Sequence, residues 1–568
     1  MGKVLKIFLF SALIPLIAGF WSLPGRSSEF RLAKWLVEAH AEEIGNLHVV
    51  ITPQEAVDAG AQWNVDGGEW QDSGTTVPGL AVGEHTANYK DVIGWSPPVS
   101  EIVTLSKDEI KEITRSYVEQ PVTIFCVSSA AELQTALTTA ASNGADDIIR
   151  IVQGTYSGNF TYASTEGNGL SVEGGYTEEC VSRQVNPDNT VLDGGGTDTV
   201  LALVSQMFAD YSVEGVTLQN GNATTVDDGG GLYARTEGDV TLRDNTFSKN
   251  TASSLGGGAF ILGDGTLTNN TFSENTASSS GGGAYIYGDG TLRNNVFSRN
   301  TASLSGGWPY GWGTVTNNTI SAEPLPEGIG GGACILGDGT LTNNSFTGNT
   351  AEKGGGVYAG GTVTNNTFIG NTASSSGGGI CAGGTVTNNI FTGNTAKWGG
   401  GASVSRSTSL TNNTFIGNTA SSSGGGVYGG GTVSNNTFSG NTAHEHGGGA
   451  YFYEAGTLTN NIFTGNTADW AGGGAYLFKG GTLTNNTFAG NRASSAGGGA
   501  YLGSGDEDHP GSGSSLTNNL FTENVSGDNG AGIYAYGSSF SAINNTFTGN
   551  TSENQGGGIW VTLTDNDY

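Results

Sequence analysis

A tyrosine recurs behind runs of glycine and one small aliphatic residue: Tyr285, Tyr358, Tyr428, Tyr451, Tyr476, Tyr501 and Tyr534. The residue before each is Ala, Val or Ile, which suits an inward position. Alternation along a strand then turns each tyrosine outward. Phe260, Cys334, Cys381 and Trp560 hold the same place in other copies. A line of exposed aromatic faces along a groove suits stacking on sugar rings. The alternative is that neighbouring rings pack on one another and stabilise the sheet. The seven tyrosines are the candidate ligand-binding residues.

Acid–base chemistry finds less support. Lyases and hydrolases acting on polysaccharides need carboxylates clustered with a base or with each other. The acids here are scattered. Asp264, Asp289 and Asp338 stand in Gly-Asp-Gly-Thr segments and read as turn formers. Asp227 and Asp228 are adjacent, so on a strand they face opposite ways. His444-Glu445-His446 falls in a variable spacer and reads as a solvated loop rather than a metal site. No catalytic residue, metal site or cofactor is expected.

The four cysteines are Cys126, Cys180, Cys334 and Cys381, and none forms a C-x-x-C pair. Cys126 and Cys180 flank one short segment, and a disulfide between them is expected in an exported protein. Cys334 and Cys381 fall two repeats apart, which is about 10 Å in stacked strands and too far to bridge.

The chain has 568 residues, 51 acidic against 21 basic, for a net charge of −30. Such a polyanion repels phosphate backbones, so nucleic acid is excluded as a partner. No local basic patch is evident. The remaining partner classes are a polysaccharide or a host or neighbour-cell surface.

Lys3 and Lys6 precede a 14-residue apolar run, Ile7 to Phe20. That is the length of a signal-peptide core and short for a membrane span. Residues 1–28 therefore read as a signal peptide, 29–46 as a linker or short helix. No other apolar run is long enough to span a bilayer. Residues 47–119 alternate in short β runs, with Asp66-Gly67 as a hairpin turn. From residue 120 a capping box, Ser129 with Glu132, opens an amphipathic helix with Leu133, Ala136, Leu137 and Ala140 on one face. Short glycine-punctuated strands follow to residue 212.

Residues 213–568 repeat. Phe247, Phe272, Phe297, Ile320, Phe346, Phe368, Phe391, Phe415, Phe438, Phe463, Phe488, Phe521 and Phe547 anchor the copies, with a mean spacing of 25 residues. Asn stands two positions before every anchor and three after all but one, where Glu323 replaces it. Strand-length pieces between Gly and Asn corners at this period fit one coil of a parallel β-helix. Stacked coils would place Phe on Phe inside and Asn on Asn at a corner, with Asn also tolerating left-handed backbone.

The F-x-x-N units (FSKN, FSEN, FTGN, FIGN) and the GGA units resemble the repeats of chlamydial-type polymorphic outer membrane proteins. More broadly, residues 126–568 resemble right-handed, pectin-lyase-like β-helix surface proteins. The module GAQWNVDGGEW, a glycine-bounded loop, GW and YVE resembles PEGA-type β-modules of bacterial surface proteins. The aromatic after GGA departs from the Ile, Leu or Val usual in those repeats. The resemblance implies an all-β right-handed parallel β-helix behind a small antiparallel β-domain, secreted or on the cell envelope. It implies adhesion or glycan recognition first. A pectin-lyase-like lyase, hydrolase or epimerase, or a structural surface spacer, are the rival readings.

Overall fold

The computed structural model describes residues 44–563, apart from 91, 93, 224–226, 307–309, 323–326, 336, 505–512 and 538. The expected leader and most of the linker lie outside the described residues, as do Trp308, Pro309, Pro324 and Pro326. Two compact units divide between Gln120 and Pro121.

The first unit is a set of small sheets. Gln62–Val65 pairs antiparallel with Gln71–Asp72 across a turn in which Asp66 and Gly67 both have positive φ, 54° and 69°. The Gly68 N–H donates to the Val65 carbonyl at 3.0 Å across that pair, so Asp66-Gly67 makes a tight turn inside a longer connection rather than a two-residue hairpin loop. Ile44–Thr52 pairs antiparallel with Thr76–Ala81 but parallel with Ile110–Ser116, so the unit is not purely antiparallel. The strand also takes in the last residues assigned to the linker. Leu47, Val49, Ile51 and Trp63 fill the core.

The second unit is all-β, a parallel β-helix. Its helix, Ala130–Ala140, is capped by Ser129, whose hydroxyl accepts from the Glu132 amide. Leu133, Ala136, Leu137 and Ala140 are buried on the first coils, closing that end of the core.

One coil shows why the repeat folds this way. Ala450–Phe452, Gly456–Thr459, Ile462–Thr464 and Thr467–Ala468 are its four strands. Each pairs in parallel with its equivalent 25 residues on: Tyr451 with Tyr476, Leu458 with Leu483, Phe463 with Phe488 and Ala468 with Ala493. Ala450, Phe452, Leu458, Phe463 and Ala468 point inward and are buried. The phenylalanine column forms a sheet of sixteen strands, three more than the repeat anchors, because Gly154–Ser157, Thr190–Asp193 and Thr217–Gln219 precede them.

The corners divide labour between the two asparagines of each Asn-Asn pair. Asn460 takes the left-handed backbone, φ 56°. Asn461 does not; it is buried and its amide donates to Asn486 Oδ1 at 3.1 Å and to the Val433 carbonyl at 2.8 Å. Its backbone N–H donates to the same Asn486 oxygen. Asn466 repeats the arrangement at the next corner, with Asn491. Glycine is required where the coil closes: a Cβ on Gly474 would stand 2.5 Å from the Gly499 carbonyl and 2.8 Å from the Phe488 ring.

Candidate functional site

The tyrosine column exists, but its rings are not laid open. Tyr428, Tyr451, Tyr476, Tyr501 and Tyr534 stack one per coil, centroids 4.5–5.2 Å apart and planes within 11°. Trp560 continues the register beside Tyr534. Within this run each ring face is covered by its neighbour, except the Tyr428 face toward Ser403, and edges line the surface. Tyr476 is 9% exposed and Tyr285 8%. The expectation of exposed flat faces is corrected for a physical reason: parallel strands about 4.8 Å apart hold planar side chains at stacking distance.

Burial changes the hydroxyls as well. It pushes the phenols of Tyr451 and Tyr501 up to about 12, and Tyr476 higher still. These phenols stay protonated throughout the physiological range. His446 adds cover that sequence reading assigned to a solvated loop. Its ring lies 4.5 Å from Tyr476 and edge-on to Trp470 at 5.7 Å, and burial lowers its pKa. His444 pairs instead with Asp469 at 2.8 Å.

The seven tyrosines do not form one line. Tyr285 belongs to a separate short stack with Tyr233 and Phe260. Tyr358 stands between Cys334 and Cys381 in register. Cys381 is followed by Ser403 and only then by Tyr428, so two consecutive coils carry no ring in the column. Cys334 and Cys381 are free thiols, with burial raising both pKa values.

Cys126 and Cys180 are bridged, with Cα atoms 5.9 Å apart. Beside the bridge lies a charged cluster that sequence reading missed. Arg150, Glu173, Glu214 and Arg243 occupy one outward column on successive coils. Arg183 reaches Glu214 at 2.7 Å, and Arg243 holds its other oxygen at 2.6 Å. Tyr176 donates to Glu173 and lies under the guanidinium groups of Arg150 and Arg183, 5.3 and 5.4 Å from its centroid. Its phenol is pushed up to about 12, chiefly by burial. Arg183 also donates to the Gly174 carbonyl. Both oxygens of Glu214 are taken by guanidinium groups, and Glu173 takes the Tyr176 hydroxyl. The cluster thus acts as a clasp on the disulfide loop rather than as an acid–base pair. The signal was the repeated Val-Glu-Gly in SVEGG and SVEGV.

The acidic turns have a structural use too. Asp264 accepts from the Asp289 backbone N–H at 2.8 Å, tying one coil's turn to the next. Among the described residues, no three His, Cys, Asp or Glu side chains converge as a metal cluster. No helix among them is long and apolar enough to cross a membrane.

Comparison with known proteins places the chain by fold. A mannuronic acid specific family 6 polysaccharide lyase from human gut microbiota is similar at 12% identity and a TM-score of 0.30, over 74% of this chain and 86% of that one. A family 6 polysaccharide lyase from Pseudopedobacter saltans gives 13% and 0.22, over 74% and 92%. PfbA, a surface adhesin of Streptococcus pneumoniae, gives 9% and 0.14, over 77% and 88%. Likenesses this distant do not bear on activity. No curated protein matches. The family model for the right handed beta helix region matches residues 188–373, 308–443, 356–509 and 434–568, which together take in two thirds of the chain. With every coil pairing in parallel along that span, the chain belongs to the right-handed β-helix family.

Proposed function

We propose that the protein is exported, works in the envelope or outside the cell, and recognises an extended glycan or a neighbouring surface without catalysis. The observation that carries this reading is the unbroken run from Tyr428 to Trp560, which offers one aromatic edge per coil. A regular row of edges fits a partner that also repeats along one direction. The Cys126–Cys180 bridge supports an oxidising compartment. The leader-like residues 1–28 support export. The resemblance of the F-x-x-N and GGA repeats to polymorphic outer membrane proteins, and of residues 47–119 to PEGA-type modules, supports a surface location.

Because ring faces are closed, recognition relies on edges and on the flanking spacers. Broad stacking on a sugar is confined to places where the column is interrupted. Ring-on-ring stacking itself favours a second reading, a spacer whose aromatic column only stiffens the rod.

A glycan-array screen of the full chain, beside a Tyr451→Leu/Tyr476→Leu/Tyr501→Leu variant, separates the two. Leucine keeps much of the buried volume, and circular dichroism checks the fold. Binding that the folded variant loses supports recognition by the column. A folded parent that binds no glycan leaves the spacer and recognition of a protein on a neighbouring surface.

A further inference from the structure

Residues 353–444 contain Lys353, Lys397 and Arg406 and not one Asp or Glu. In a chain of net charge −30, this window of about four coils carries +3, bounded by Glu352, which lies 3.9 Å from the Lys353 ammonium, and by Glu445. The same window contains the interruption of the aromatic column at Cys381 and Ser403. The sequence-based view that no basic patch exists is corrected here: Lys397 and Arg406 flank Ser403 in one coil, and coil stacking aligns Lys353 with them.

The geometry around the interruption is specific. Trp398, from the same coil as Ser403, leans against Tyr428 at 6.4 Å and 40°. The Lys397 ammonium lies 4.1 Å from the Trp398 ring centroid. On the other side Tyr453 meets Tyr428 at 5.8 Å and 36°, and the Arg406 guanidinium lies 5.5 Å from the Tyr453 ring. Lys353, Ser376 and Trp398 are aligned on three successive coils, and Cys381 follows Ser376 in the first coil without a ring. Lys397 and Arg406 are exposed, and Arg406 shares the Glu454 carboxylate with Lys479.

We infer that this interruption binds a negatively charged glycan, with Trp398 and Tyr428 against a sugar ring and Lys353, Lys397 and Arg406 flanking it for the carboxylates or sulfates of successive units. The inference rests on the glycan-recognition reading and gives it a ligand class. Tilted aromatic rings suit the C–H face of a sugar, and flanking cations suit its anionic group. A nucleic acid is the competing polyanion, and the oligonucleotide arm of the test separates the two.

The test titrates the full chain with polygalacturonate, a heparin-type sulfated glycan, a neutral β-glucan and a single-stranded DNA oligonucleotide. Lys397→Gln/Arg406→Gln removes two charges together with the Arg406–Glu454 pair and the contacts on the Trp398 and Tyr453 rings, so circular dichroism and a thermal melt check that the fold is kept. Ser403→Tyr fills the gap with the residue that neighbouring coils already carry, so the column is completed rather than broken. The parent is expected to bind an acidic glycan, and each variant to weaken that binding by about tenfold or more through lost charge-assisted contacts or a blocked floor. Neutral-glycan binding should not change. Losses under about twofold in both variants overturn the site. Tighter binding of the oligonucleotide than of either acidic glycan overturns the ligand class. A parent that binds neutral but not acidic glycans overturns this inference and leaves the glycan reading standing; binding of no glycan at all removes both.

Discussion

Asparagine supplies, at each corner, hydrogen bonds that a turning backbone leaves unmade. Asn394 shows the full set. Its oxygen accepts the backbone and side-chain N–H groups of Asn371, and its amide donates to the Phe368 carbonyl and to Asn418. Asn394→Ala strands these buried partners, at about 1–3 kcal/mol for each group left unsatisfied. A fall in stability of about 3 kcal/mol is expected, read as a lower denaturation midpoint and faster amide exchange at Asn371. His446 makes a pH-dependent prediction. Burial lowers its pKa, with Glu445 opposing and the Tyr451, Tyr476 and Trp470 rings packed against it. The unfolded chain therefore takes up the proton first as pH falls below the usual imidazole value near 6.5. The contribution of neutral His446 is present above that pH and lost as pH falls through the lower folded value. Urea midpoints at pH 7.5 and 5.5 should converge less for the parent than for His446→Phe; equal pH dependence in both would exclude the effect. The corner asparagines were legible in sequence from their fixed offsets. The role of His446 was not, because its packing depends on Trp470 and Tyr476 in the next coil.

At the scale of the strand, the internal phenylalanines form a second stack. Phe415, Phe438 and Phe463 are fully buried with centroids 4.6–4.9 Å apart. Phe438→Ala opens a cavity between two rings and should cost about 3–5 kcal/mol. Phe438→Ile should cost clearly less, about 1–2 kcal/mol, because Ile320 already serves in this column between Phe297 and Phe346. A thermal melt of both variants checks the order, and equal losses would show that the coil does not adapt as Ile320 implies. Inner and outer aromatic columns look alike in one dimension. They differ in the wall they face: Phe438 is enclosed on all sides, whereas Tyr451 has its faces covered and its edge outside.

Across the molecule, contacts of the β-helix run between a coil and its neighbours. Stability is then close to a sum of coils and interfaces. Val433 pairs with Leu458, so removal of residues 433–457 takes out one whole coil and rejoins Thr432 to Leu458 in register. The shortened chain should keep its β signal in circular dichroism and unfold within a few degrees of the parent. Loss of the fold would mean that this coil carries more than nearest-neighbour contacts. The far end of the solenoid is held differently, by the helix Ala130–Ala140, the Cys126–Cys180 bridge and the Arg183 clasp on Glu214.

Sequence alone determined the period, the inward columns, the corner residues, the capping helix and the cysteine pair. The period, columns and corners follow from local chemistry repeated at a fixed interval: alternation in a strand, left-handed backbone at Asn or Gly, and one side chain at each place in the register; the helix follows from its own capping box, and the cysteine pair from the short segment it flanks. Tertiary structure decided what the surface offers. Stacking turned the tyrosine faces onto one another, because the strand spacing is also a stacking distance. It gathered Glu173, Glu214, Arg183 and Arg243 from separate coils into one neutralised cluster. It also brought Lys353 and Tyr453, from other coils, toward the coil that carries Lys397, Ser403 and Arg406. Those neighbours lie across coils, some 20 to 70 residues away along the chain, where no local pattern records them.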